Sequence, residues 1–181
     1  SAIGGKDSMS GSFIDLDVPP TLVSFAVSTA EAKDVISPEF KGAGHGVVLL
    51  APDDAGFLPL FDRVAELIRG KKVLSAWAVT HGGIAEGLFK MALGNRIGLA
   101  FDPGFDKKDA FSRVPGGFIL ELAEGERAEG AKQIGRTIPE YRFACGGENI
   151  DLSEVERAYS GRLEGVYPTK AGAGEEQAEP F

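Results

Sequence analysis

Val73–Asn95, VLSAWAVTHGGIAEGLFKMALGN, is the stretch on which the reading of this chain turns. Val73 to Val79 are apolar enough for a buried strand. Thr80-His81-Gly82-Gly83 then supply turn chemistry. Ile84, Leu88 and Met91 recur at helical spacing, with Phe89 and Ala92 beside them. Glu86 and Lys90 are expected to pair across one turn on the outer face, and Gly94-Asn95 to end the helix. A strand entering a helix through glycines leaves the first helical N–H groups free, where the macrodipole favours an anion. Thr80, Gly82 and Gly83 are therefore candidate nucleotide- or phosphate-binding residues; plain capping by Thr80 over a tight glycine turn explains them equally well. His81 reads as a hydrogen-bonded structural histidine rather than a proton shuttle, because no catalytic partner lies near it in sequence.

Outward from this unit the pattern mixes strands and helices. Thr21–Thr29 reads as a strand, and Gly46–Ala51 as a buried one. Asp53 or Asp54 is expected to cap a helix carrying Phe57, Leu60, Phe61, Val64 and Ile68 on its buried stripe, ending near Gly70. Strands are expected over residues 97–101, 117–122 and 141–145. Residues 124–134 read as a helix weakened by glycines. Asp151 and Glu154 form a capping-box pattern, with Ile150 and Val155 as staple, and Leu152, Val155, Tyr159 and Leu163 as the apolar stripe of a last helix. Strict βαβ alternation is missing, so the expected class is α+β, a mixed β-sheet flanked by helices.

Composition bounds the function. The 181 residues suit one domain with a real core. A formal net charge of −8 disfavours non-specific nucleic-acid or acidic-membrane binding. One cysteine, Cys145, cannot close an internal disulfide, which suits a cytoplasmic setting, and with two histidines no zinc cluster can be assembled. Cys145 beside Gly146-Gly147 reads as a small buried hydrophobe, since no basic partner that would activate a thiol is evident. No apolar run is long enough to span a bilayer, and no signal peptide is visible.

A second candidate site opens the chain. Gly4-Gly5-Lys6-Asp7-Ser8 puts flexible backbone, a cation, a carboxylate and a hydroxyl in one short loop. Open amides and Lys6 attract phosphate, and Asp7 can hold a divalent cation. It lacks the Walker spacing, and a polar loop before a strand explains the same residues.

Several spaced segments carry a resemblance: GGKDSMS with LDVPPTLVSFA, then AVTHGGIAEGLFKMALGN, then PGGFILEL, and LEGVYPTK at residues 163–170. Together they resemble phosphoribosylformylglycinamidine synthase in its large, fused form. The part resembled is the C-terminal, aminoimidazole-ribonucleotide-synthase-like domain of its second half. The resemblance implies a mixed sheet flanked by helices. It implies a parent ligase that uses ATP and glutamine to convert formylglycinamide ribonucleotide to formylglycinamidine ribonucleotide. It further implies ATP or ADP and Mg2+ as cofactors, small-molecule substrates, and ATP-binding and glutaminase domains as partners in the same chain. On this reading residues 1–20 are loop from a preceding ATP-binding domain, 21–168 the synthase-related domain, and 169–181 a linker or tail. The chain is then a piece of something longer, inactive alone and open to self-association. Purely structural scaffolding, or a place in a small-molecule kinase of the same superfamily, are the competing expectations. One departure matters. Relatives often carry His-Asp-x-Ser-Asp-Gly-Gly at the strand-to-helix loop, where this chain has Trp77-Ala78-Val79-Thr80-His81-Gly82-Gly83. Ala78 cannot ligate a cation, which leaves Asp7 as the one metal candidate.

Overall fold

The computed structural model describes residues 11–17, 25–166 and 168–169. It divides into two compact units, one up to Lys33 and one from Asp34 onward. In the first unit, β1 (Ser12–Phe13) and β2 (Leu16–Asp17) form a small antiparallel hairpin. The expected strand at Thr21–Thr29 does not form over residues 25–29, where Phe25 and Val27 are 88% and 98% exposed. Residues 21–24 lie outside the described residues. Apolar alternation alone does not make a strand when no neighbouring strand offers its hydrogen bonds.

The second unit is an α+β domain. It contains β3 (Gly46–Leu50), α1 (Phe57–Arg69), β4 (Val73–Ala78), α2 (Gly83–Asn95) and β5 (Gly98–Phe101). A 3-10 turn at Lys107–Phe111 precedes β6 (Phe118–Leu122), β7 (Lys132–Ile138), β8 (Arg142–Cys145), β9 (Glu148–Asp151) and α3 (Leu152–Ser160). The seven strands form one sheet in the order β4-β6-β3-β7-β5-β8-β9. Every pairing is antiparallel except β5 with β8.

Alternation along the strands builds a core on each face of the sheet. Val47, Leu49 and Ile119 face α2 and α3, joining Ile84, Leu88, Met91 and Leu152. Val48, Leu50, Leu120 and Leu122 face α1, joining Leu60 and Val64. The expected stripe of α1 is only half buried: Phe57 and Phe61 are largely exposed. Neither Asp53 nor Asp54 caps α1. Gly56 holds that position, while the Asp53 carboxylate accepts the Ala55 N–H at 2.9 Å inside the preceding turn. Asp151 does cap α3, accepting from the Ser153 N–H at 2.8 Å.

The expected helix at residues 124–134 is absent. Gly125 and Gly130 take φ of 76° and 68°, turning the chain, and the last residues of that stretch enter β7. A ladder with both β3 and β5 outweighs a weak helical pattern there. The expected end at Gly94-Asn95 holds, with Arg96 in the left-handed conformation as the cap of α2.

Candidate functional site

The strand-to-helix junction forms as its residue types dictate. β4 ends at Ala78, and Val79 is tied by its N–H to the Gly117 carbonyl at 2.9 Å. The Gly83 N–H returns to the Thr80 carbonyl at 3.1 Å, closing a turn with Gly83 at φ 72°. A Cβ at Gly83 would lie 2.8 Å from the Ser112 carbonyl oxygen, so the backbone of residues 111–112 packs directly onto this glycine. Here glycine is required both by conformation and by contact.

The anion position at this helix start is filled from within. The Glu86 carboxylate accepts from the Thr80 hydroxyl at 2.5 Å and from the Gly82 N–H at 2.9 Å. The Thr80 bond, then the Gly82 bond, hold its carboxyl below the usual carboxylate range, with smaller help from Lys90 and His81. Thr80 thus does not cap the helix: Gly82 holds the N-cap position without a side-chain cap, and the Thr80 hydroxyl donates to Glu86 instead. The expected Glu86–Lys90 pair persists as a charge interaction that helps lower the Glu86 carboxyl, behind these two hydrogen bonds. Lys90 also sits over the Tyr159 ring, 3.8 Å from its centroid. His81 and Ala78 are both exposed.

Of the residues singled out from sequence, the structure brings Thr80, Gly82 and Gly83 together. Gly4, Gly5, Lys6, Asp7 and Ser8 lie outside the described residues. Among the described residues no cluster of His, Cys, Asp or Glu suited to a metal ion occurs.

Sequence reading missed the buried carboxylate of Glu121, which is fully buried on β6. It accepts the Lys41 N–H on both oxygens, at 3.0 and 2.9 Å, the Gly42 N–H at 3.3 Å and the Ser75 hydroxyl at 2.6 Å. His45 Nδ1 lies 2.7 Å from the same carboxylate. The signal was available: a glutamate amid PGGFILEL breaks an apolar strand, and a charge in such a place needs several donors. The donors come from β4 and the loop before β3, so Glu121 works as a clamp between sheet and loop. The Asn95 amide reinforces that loop by donating to the Phe40 carbonyl at 2.8 Å.

Concavities in this unit include the following two. An open cleft of about 790 Å3 is walled by residues of both signs, including Arg127, Arg136, Asp102 and Glu124. A smaller pocket of about 210 Å3 is apolar and carries Lys107 and Glu148, 2.5 Å apart, among its lining residues. Cys145 lines that pocket instead of lying in the core.

No protein-family model and no curated protein sequence matches the chain. Solved structures do. The fold is similar to phosphoribosylformylglycinamidine synthase II from Thermotoga maritima, with a TM-score of 0.57 and 9% identity over 83% of this chain. The PurLQS structure from the same organism gives 0.58 and 9% over 84% of this chain and 31% of that one. PurL of that organism complexed with ADP gives 0.56 and 10% over 83% of this chain. At such identity the likeness establishes the fold: a mixed sheet with flanking helices, as in PurL. The chain spans about 30% of the length of these neighbours. No helix among the described residues is long and apolar enough to cross a membrane.

Proposed function

We propose that this chain is the C-terminal synthase-related domain from the second half of a phosphoribosylformylglycinamidine synthase. That cytoplasmic enzyme of purine biosynthesis uses ATP, Mg2+ and glutamine as nitrogen donor. The observation that carries the reading is the fold likeness to PurLQS over 84% of this chain but only 31% of the other. It joins a sequence resemblance spread over several separate segments. On this reading residues 1–20 belong to a preceding ATP-binding domain, 21–168 to the synthase-related domain, and 169–181 lead toward a glutaminase domain. The isolated chain makes no product, because the ATP-binding and glutaminase partners supply the reacting groups.

Its contribution is domain packing and an auxiliary nucleotide or phosphate site. Gly4, Gly5, Lys6, Asp7 and Ser8, with Asp7 as the metal ligand, are one candidate for it; Thr80, Gly82 and Gly83 are a second. Calorimetry with magnesium-ADP on the intact enzyme tests it, comparing wild type with Lys6→Ala. Weakened binding in the variant supports the site.

A second reading, pure scaffolding, is favoured by one observation: Glu86 already takes the Thr80 hydroxyl and the Gly82 N–H. A phosphate would have to displace that carboxylate. Unchanged magnesium-ADP binding in both Lys6→Ala and Thr80→Val would select the scaffold. Product from the pure chain with all substrates present would overturn the non-autonomous reading.

A further inference from the structure

Beside the helix start lies a pocket that the reading above does not use. Its walls are aromatic. Phe101 stacks on Phe105 with centroids 5.2 Å apart, and Phe143 meets Phe101 edge-on at 5.7 Å. Phe111 and Ile150 also line it, yet they are 78% and 55% exposed. A phenylalanine left that open beside an apolar hollow lacks the burial its side chain normally has. The volume is about 210 Å3. A cavity of about 150 Å3 with comparable walls takes benzene, so this one has room for a second ring.

The charged side chains of the lining sit together. Lys107 and Glu148 lie 2.5 Å apart, with side chains 55% and 75% exposed. They set a donor and an acceptor side by side. Such an exposed pair is weakly held, so exchanging partners for those of a ligand is inexpensive.

We propose that this pocket binds a flat, bicyclic heteroaromatic group of the purine type. The rings lie among Phe101, Phe105, Phe111 and Phe143, where bases stack on aromatic side chains without needing a phosphate. An adenine edge places a ring-nitrogen acceptor beside an amino donor, matching Lys107 and Glu148. The inference goes beyond the proposed function and needs neither the Lys6 loop nor a glutaminase. The pocket does adjoin the helix start: Ala85 of α2 lines it, and the Phe111 backbone packs on Gly83.

Cys145 is the sole cysteine of the chain and lines this pocket, so its thiol reports occupancy. The experiment measures the rate of Cys145 alkylation by iodoacetamide in the full chain, with adenine or indole added. Adenine at about ten times its dissociation constant is expected to slow alkylation about tenfold. Indole, equally flat but without the paired edge, is expected to need a higher concentration. Lys107→Ala/Glu148→Ala, altered only at exposed positions, should lose the preference for adenine while keeping the response to indole. No protection by adenine at its solubility limit overturns the proposal. So does equal protection by indole and adenine in the wild type, or an undiminished adenine preference in the double variant. Because adenine carries no phosphate, these outcomes are independent of magnesium-ADP binding at Lys6.

Discussion

Glu121 and Glu86 solve the same problem in opposite surroundings. Both carboxylates accept a backbone N–H and a hydroxyl. Glu121 is fully buried in the sheet, whereas the bonds of Glu86 are exposed at the start of α2. Burial turns the first into a fold determinant, since the carboxylate and the Ser75 hydroxyl that donates to it are fully buried and have no water to fall back on. Exposure makes the second replaceable, because water or a ligand can take its place.

The largest expected effect therefore lies at Glu121. Glu121→Ala leaves the Lys41 and Gly42 N–H groups, the Ser75 hydroxyl and His45 without their common acceptor, and should cost about 3 kcal/mol. Glu121→Gln keeps the shape and one acceptor, and should fall between wild type and Ala. Urea unfolding of the full chain measures both. If Glu121→Ala loses no more stability than Glu86→Ala, the contrast drawn from burial is wrong.

Gly83→Ala comes next. The positive φ and the Ser112 carbonyl oxygen, 2.8 Å from an added Cβ, act together. A loss of about 2 kcal/mol is expected from strain and contact combined. The same unfolding experiment checks it, with Gly82→Ala as a comparison. There φ is −77°, so no left-handed strain is added, but an added Cβ meets the Glu86 Cβ and carboxylate oxygen at 2.6 Å, and a loss is expected from contact alone.

These two sites differ in how visible they were in the sequence. The turn at Thr80–Gly83 was legible because glycines between a strand pattern and a helix pattern have few other uses. Its inner chemistry was not: spacing paired Glu86 with Lys90, whose charge does act on it, but the Thr80 hydroxyl and the Gly82 N–H act more strongly. Spacing fixes which side chains share a face, but a backbone N–H one turn earlier competes for the same carboxylate. Most strands were legible from apolar runs, and the α+β class from the lack of strict alternation. The failures were long-range. Residues 124–134 became turn and strand because β3 and β5 offered a ladder on both sides. Residues 25–29 stayed out of any strand for want of a partner. The Glu121 clamp joins residues 80 positions apart from Lys41, a pairing that no local pattern encodes.

At Glu86 the expected effect is smaller and depends on pH. Its folded carboxyl titrates below the ordinary 4.5, chiefly through the Thr80 hydroxyl and then the Gly82 N–H. A depressed folded value gives stability that is present above the unfolded value and lost as pH falls through the folded one. Glu86→Gln should thus cost about 0.5 kcal/mol at neutral pH, after allowance for solvent screening. The cost should vanish in acid. A gap between wild type and variant that widens below pH 4.5 would reverse the assigned sign.

The smallest effect is expected where an ion pair lies in solvent. Lys107 holds the Glu148 carboxyl below its usual range, first by hydrogen bonding and then by charge, and Glu148 in turn raises Lys107. Neither side chain is buried, so salt and competing water dissolve the pairing without disturbing the fold. Glu148→Gln should leave the urea midpoint at neutral pH where it was. The Glu148 carboxyl, followed by NMR, should titrate below the ordinary range in dilute buffer and return toward it in about 0.5 M salt. The stability lost in Glu121→Ala should be the same in dilute buffer and in salt, because the carboxylate is fully buried. A salt-sensitive Glu121 clamp, or a Glu148 pair indifferent to salt, would mean that burial is not what separates the two carboxylates.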